Sequence, residues 1–135
     1  MNYGPTDIRE VWEEIKTGLE LVKGETNEYE RLEDIYAACV NGQATLWTAD
    51  DIAPEDGFLI TQVKREPFSG QRYLLLWVAW CPDEEGAKRF QQYVEEVAKE
   101  ADCSYIEFWT SKKEIRDHGI KFGYEQITYK CKKEI

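Results

Sequence analysis

The sequence predicts a single α+β domain, arranged as three α/β layers, in which a mixed central sheet follows two N-terminal helices. Three observations carry the prediction. Apolar residues recur at spacings of three and four as far as Cys39, at a spacing of two from Ala44, and then in a strand–helix–strand succession between Tyr73 and Trp109. With 135 residues, 42% hydrophobic and 13% aromatic, the chain has the length and apolar content for one core. The domain is expected to span 1–135, with an N-terminal helix over 1–24 and the core over 27–135.

Each element has a local reason. Thr6 or Asp7 can cap a helix whose apolar positions are Ile8, Val11, Trp12, Ile15, Leu19 and Val22, and Gly24 supplies a stop. Trp12 and Ile15 leave two options open: packing on the sheet or engaging a neighbouring subunit. A second helix from about Asn27 turns Tyr29, Leu32, Ile35, Tyr36 and Cys39 inward and ends at Asn41-Gly42. Strands over Ala44–Ala49 and Phe58–Lys64, with turns at Asp50–Gly57 and Pro67–Gly70, begin a three-stranded antiparallel meander. Tyr73–Trp80 is apolar at every position, as a strand covered on both faces should be. A helix follows, with Ala87, Phe90, Val94, Val97, Ala98 and Ala101 inward. It leads to a strand over Tyr105–Trp109, which makes a right-handed parallel crossover. A short helix from about Lys112 to His118 and a last strand over Gln126–Lys132 complete the order.

Composition excludes several function classes. The 17 Lys and Arg against 27 Asp and Glu give a net charge of −10, a field that disfavours nucleic-acid phosphates and anionic lipid. The longest apolar run, Tyr73–Cys81, is far short of the roughly 20 residues a membrane span needs. Met1–Glu14 is acidic, without the basic-then-apolar profile of a signal peptide, so a cytoplasmic location is expected. Cys39, Cys81, Cys103 and Cys131 lie 42, 22 and 28 positions apart beside one histidine, His118, which is not the close spacing a zinc site needs. No metal is expected. Cys39, Cys103 and Cys131 read as small core residues, and all four thiols as reduced. Residues 1–56 hold 4 basic and 14 acidic side chains, whereas 111–135 hold 7 and 4. Such runs are ordinarily solvated faces; the sharper alternative is an acidic decoy for a nucleic-acid-binding protein.

Three passages carry a resemblance to a known family. Gly42-Gln-Ala-Thr-Leu-Trp47 followed by Gly57-Phe-Leu-Ile-Thr61 looks like a pair of adjacent strands, Tyr73–Trp80 runs into a Gly-Ala helix start, and Ile120-Lys-Phe-Gly-Tyr-Glu125 precedes the final strand. In this order they resemble the GNAT superfamily of N-acetyltransferases over Tyr29 to Ile135. The strand Ala44–Trp47 and the short length are most similar to small GNAT-like proteins encoded among the virion and packaging genes of tailed phages. The resemblance implies a GNAT-like mixed sheet in which acyl-coenzyme A inserts between the splayed fourth and fifth strands and its pyrophosphate rests on the start of the helix between them. The contacts it implies fall on Trp77, Val78 and Trp80, and on Gly86, Ala87, Lys88 and Arg89.

The family's Gln/Arg-x-x-Gly-x-Gly/Ala loop is not matched by Cys81-Pro-Asp-Glu-Glu-Gly-Ala-Lys88 in either register. Asp83, Glu84 and Glu85 place three carboxylates where a diphosphate would lie, though acids there are also ordinary helix caps. The family's tyrosine acid corresponds to Gly119, which leaves His118, and Glu107 is the candidate base. These departures lead to the expectation of a GNAT-fold protein with an eroded cofactor loop. It would require no cofactor and act as a binding or assembly module for a protein partner, a virion component or a second copy of itself, in a phage particle or its maturation. The alternative is an acetyl-CoA-dependent N-acetyltransferase acting on a small amine or a protein N-terminus.

Overall fold

The computed structural model describes residues 2–26, 31–110, 113–127, 131 and 133–135. The order is β1 (Tyr3–Thr6), α1 (Ile8–Thr26), α2 (Leu32–Val40), β2 (Thr45–Ala49), β3 (Phe58–Arg65), β4 (Arg72–Trp80), α3 (Glu84–Glu100), β5 (Tyr105–Glu107) and α4 (Lys113–Lys121). The five strands form one sheet in the order β1-β2-β3-β4-β5, antiparallel throughout except for the parallel pair β4–β5. The expected α+β class and crossover are both present.

Two apolar clusters make the three layers. On one face, Ile8, Ile15, Leu19 and Val22 of α1 and Ile35 and Ala38 of α2 meet Leu46, Phe58, Ile60 and Val78 of the sheet. On the other, Phe90, Val94, Val97 and Ala98 of α3 meet Ala49, Leu59 and Leu74. Ile15 is fully buried, and Trp12 packs edge-on to Tyr36 with ring centroids 4.8 Å apart, so α1 seats on this chain's own sheet. Gly18 allows the seat: a Cβ there would stand 2.7 Å from Trp80 Cδ1 and 2.9 Å from Phe58 Cε1.

The structure corrects several expectations. The meander has four antiparallel strands, because β1 pairs with β2 from Tyr3↔Ala49 to Thr6↔Leu46. Pro5 is compatible with that place because β1 is a sheet edge. Thr6 belongs to β1, and it is the Asp7 carboxylate that accepts the backbone N–H of Arg9 at 3.0 Å, capping α1. Gly24 does not stop α1, which runs to Thr26; one interior glycine costs about 1 kcal/mol, less than burying a side chain such as Val22 recovers. Asn27, Tyr29, Lys112 and most of the strand expected over Gln126–Lys132 lie outside the described residues, and Gln126 and Ile127 are not in a strand. Cys39 and Cys103 pack against the two clusters, whereas Cys131 is exposed, with no described strand around it to bury it. Burial pushes the Cys39 thiol up to about 11.

Tyr3 ties the edge strand to α3. Its ring stacks on Tyr93 at 3.7 Å between centroids, and its hydroxyl donates to Glu96 Oε2 at 3.1 Å. Burial first, then the bond to Glu96 and its charge, push the phenol up to about 12. Because the folded value lies above the unfolded value of about 10, the stabilisation is fully present below pH 10 and is lost as pH rises toward 12. Tyr3→Phe is therefore expected to lower stability by about 0.5–1.5 kcal/mol in urea titrations at pH 8. The gap from wild type should narrow at pH 11.

Candidate acyl-donor site

The site begins where two strands part. β4 and β5 pair only over Tyr73↔Tyr105, Leu74↔Ile106 and Leu75↔Glu107. On the other side, β4 stays paired with β3 as far as Phe58↔Trp80. Leu76–Trp80 therefore present, on the β5 side, an edge with no strand partner among the described residues, and this edge runs directly toward the start of α3. The cause is local. The β3–β4 register shifts between Ile60 and Thr61, which face Val78 and Leu76, so Trp77 is an extra residue in β4. A bulge bends its strand and adds twist, and this one lies just past the last β4–β5 pair. It also accounts for β5 ending at Glu107 rather than at the expected Trp109.

The expected donor contacts divide into two groups. Val78 is buried in the α1-side cluster, with Trp77 and Trp80 packed against it, and Trp80 Nε1 donates to the carbonyl of Glu55 at 3.1 Å. Their side chains are therefore part of the core under α1, and what they leave at the fork is backbone. Gly86, Ala87, Lys88 and Arg89 occupy the first turns of α3.

At that helix start the residues do not fit a diphosphate. Asp83 is the N-cap, and its Oδ2 accepts the Gly86 N–H at 2.8 Å, the kind of donor an anion would use. The space over Gly86 is also filled, since a Cβ there would meet Cys81 Sγ at 2.7 Å and Asp83 Oδ2 at 3.3 Å. Glu84 and Glu85 are exposed in the first turn. The two cations are paired: Lys88 Nζ lies 3.5 Å from Glu85 Oε1, and Arg89 donates to Asp51 Oδ2 at 3.1 Å. The Asp51 contact spans 38 positions, and nothing local in the sequence announces it.

The expected acid and base stand on different elements. Glu107 is the last β5 residue paired with β4, so it sits at the fork, and its Oε2 accepts the indole N–H of Trp109 at 2.7 Å. Ile106, its neighbour, packs toward α3, and alternation places Glu107 on the opposite face, as expected. His118 is exposed on α4, its ring edge-on to Phe122 with centroids 4.9 Å apart. Sequence reading passed over Tyr124 as a site residue. Its ring is edge-on to Phe108, its hydroxyl bonds the Gln91 side chain of α3, and burial holds the phenol above its ordinary value. It is thus a protonated donor at neutral pH. The adjacent Gly123, at φ 95, was the available signal for a turn that reorients the chain there.

A cavity of about 390 Å³ lies at the opposite end of α3, against Val97 and Glu100. Among the described residues, no cluster of His, Cys, Asp and Glu could hold a metal, and no helix is long and apolar enough to cross a membrane.

No family model and no curated protein matches the chain. Solved structures match along its whole length. A tetramutant of the BH1408 protein from Bacillus halodurans aligns with a TM-score of 0.77 at 13% identity, covering 100% of both chains. A ribosomal-protein-alanine N-acetyltransferase from Brucella melitensis biovar Abortus 2308 aligns at 0.70 and 15%, again over 100% of each. A predicted acetyltransferase with acetyl-CoA from Clostridium acetobutylicum aligns at 0.68 and 15%, covering 98% of this chain and 95% of that one. At such identities the likeness shows the fold alone, an α+β GNAT-like fold with a mixed five-stranded sheet, shared with solved structures of which some are acetyltransferases.

Proposed function

We propose that this chain is an N-acetyltransferase that takes its acyl group from acetyl-CoA and passes it to a small amine or a protein N-terminus. The observation that carries the reading is the fork. The β4 edge at Leu76–Trp80 offers backbone N–H and C=O groups that the amides of a pantetheine arm can pair with, as an added strand would. Sharing the fold with the Brucella and Clostridium proteins supports it. On this reading Glu107 serves as base at the fork, and His118 or Tyr124 as acid. The donor is held mainly along β4, since the first turn of α3 opposes a diphosphate.

A second reading is favoured by that helix start. A self-capped turn with its cations already paired suits a fold that has left acyl-transfer chemistry and acts as a binding module. Association with a phage particle is its finer form and draws on the resemblance of the strand Ala44–Trp47 and of the short length.

Titration calorimetry with acetyl-CoA separates the two, followed by mass spectrometry of a panel of amines and peptide N-termini. The transferase binds in the micromolar range and adds one acetyl group to an acceptor. Absence of heat at millimolar donor, with no acetylated product, would leave only the module.

A further inference from the structure

We propose that two copies of this chain associate by exchanging hairpin tips: Phe68 of each enters the cavity at the C-terminal end of α3 in the other. Phe68 stands at the tip of the β3–β4 hairpin and is 99% exposed. The tip is not a loose loop. Glu66 Oε2 accepts the backbone N–H groups of Phe68 at 3.0 Å and Ser69 at 2.6 Å, and the Glu66 carbonyl accepts the Gly70 N–H at 2.9 Å. Arg65 donates to the Gly70 carbonyl at 3.0 Å, and Gln71 N–H to Ser69 Oγ at 3.2 Å. An aromatic ring on a turn fixed this way gives up little further backbone freedom on insertion, which is the form an interface anchor takes.

The matching hollow is on the same molecule. The cavity of about 390 Å³, open to solvent, has Leu74, Trp47, Val63 and Val97 among its walls together with the polar Thr61 and Gln62, and the exposed Gln43 and Glu100 also line it. The Trp47 indole is held in place by its N–H, which donates to Thr61 Oγ1 at 2.9 Å. Cavities of about 150 Å³ already admit a benzene ring. A single molecule does not fill its own cavity with Phe68: about 10 Å of extended chain separates Val63 from Glu66, and the turn beyond holds the Phe68 ring 99% exposed. Because knob and hollow share that hairpin, a two-fold axis between them closes both contacts at once. Charge agrees, since Arg65, on the same strand face as Val63, puts a cation beside the knob and Glu100 puts an anion beside the hollow.

Sedimentation equilibrium of the full chain tests this. Wild type is expected to dimerise in the micromolar range. Phe68→Asp, at a position too exposed to disturb the fold, should weaken the dimer at least about 30-fold, and Gln43→Trp, which blocks the mouth of the cavity, should do the same. An equimolar mixture of the two variants should associate more tightly than either alone, because Phe68 of the second can still enter the open cavity of the first. The proposal is overturned if wild type remains monomeric at about 0.5 mM, if Phe68→Asp dimerises as wild type does, or if the mixture gains nothing.

Discussion

Phe58→Ala should lower the unfolding free energy by about 3–5 kcal/mol, the range for deleting a buried phenylalanine from a packed core. Phe58 has no exposed surface, pairs with Trp80 across β3–β4 and lies against Gly18 of α1. It therefore stands where α1 crosses the end of β4, on the strand that forms the fork. Domains of this size are stable by only about 5–15 kcal/mol, so the loss is a large share of the total. Urea titration should show a lower midpoint with an unchanged slope, as for a cavity that leaves the denatured chain alone. The site also predicts a coupling between Phe58 and Gly18. In wild type, Gly18→Ala forces a methyl to within 2.7 Å of Trp80 and 2.9 Å of Phe58 and should destabilise. In the Phe58→Ala background the contact with the ring is gone while the one with Trp80 at 2.7 Å remains, so the same methyl should cost less than it does in wild type. A loss below about 1.5 kcal/mol for Phe58→Ala, or an equal cost of Gly18→Ala in both backgrounds, would mean that α1 does not seat there.

What was legible in the sequence was periodicity, and what was not was whatever depends on distant partners. The spacing of Ile8, Ile15, Leu19 and Val22 reveals a one-faced helix, and both faces of Tyr73–Trp80 are apolar because helices cover the sheet on both sides. Edge strand β1 escaped notice because Gly4 and Pro5 occupy half of its four residues, and its stability comes from pairing with β2 and from Tyr3 against Tyr93, 90 positions away. The bulge at Trp77 has no glycine to announce it, so the parting of β4 from β5 could be expected only through resemblance. At the site, the charge of Asp83, Glu84 and Glu85 was readable, whereas the loss of Arg89 to Asp51 needed the fold to bring α3 against the Asp50–Gly57 turn.

Glu84→Gln with Glu85→Gln is expected to tighten acetyl-CoA binding about 10- to 30-fold at low ionic strength. Each carboxylate about 4 Å from a phosphate repels it by roughly 1 kcal/mol at water-like screening, and more where the site excludes water. The second substitution also releases Lys88, whose partner within reach is Glu85 at 3.5 Å, so one cation becomes free for the anion. The Asp83 cap is left in place, which keeps the helix start intact and confines the change to charge. Two companion measurements identify the cause. The gain should shrink as salt rises and the screening length falls to about 3 Å near 1 M. Thermal stability should move the other way by a small amount, because acids in a first turn favour the helix dipole by about 0.3–1 kcal/mol each. Tighter binding with slightly lower stability would mark this turn as one whose acids serve the helix at the expense of the donor. If acetyl-CoA binds wild type and the double variant equally well at every salt concentration, the diphosphate does not lie at the start of α3, and the donor must reach the β4 edge from elsewhere.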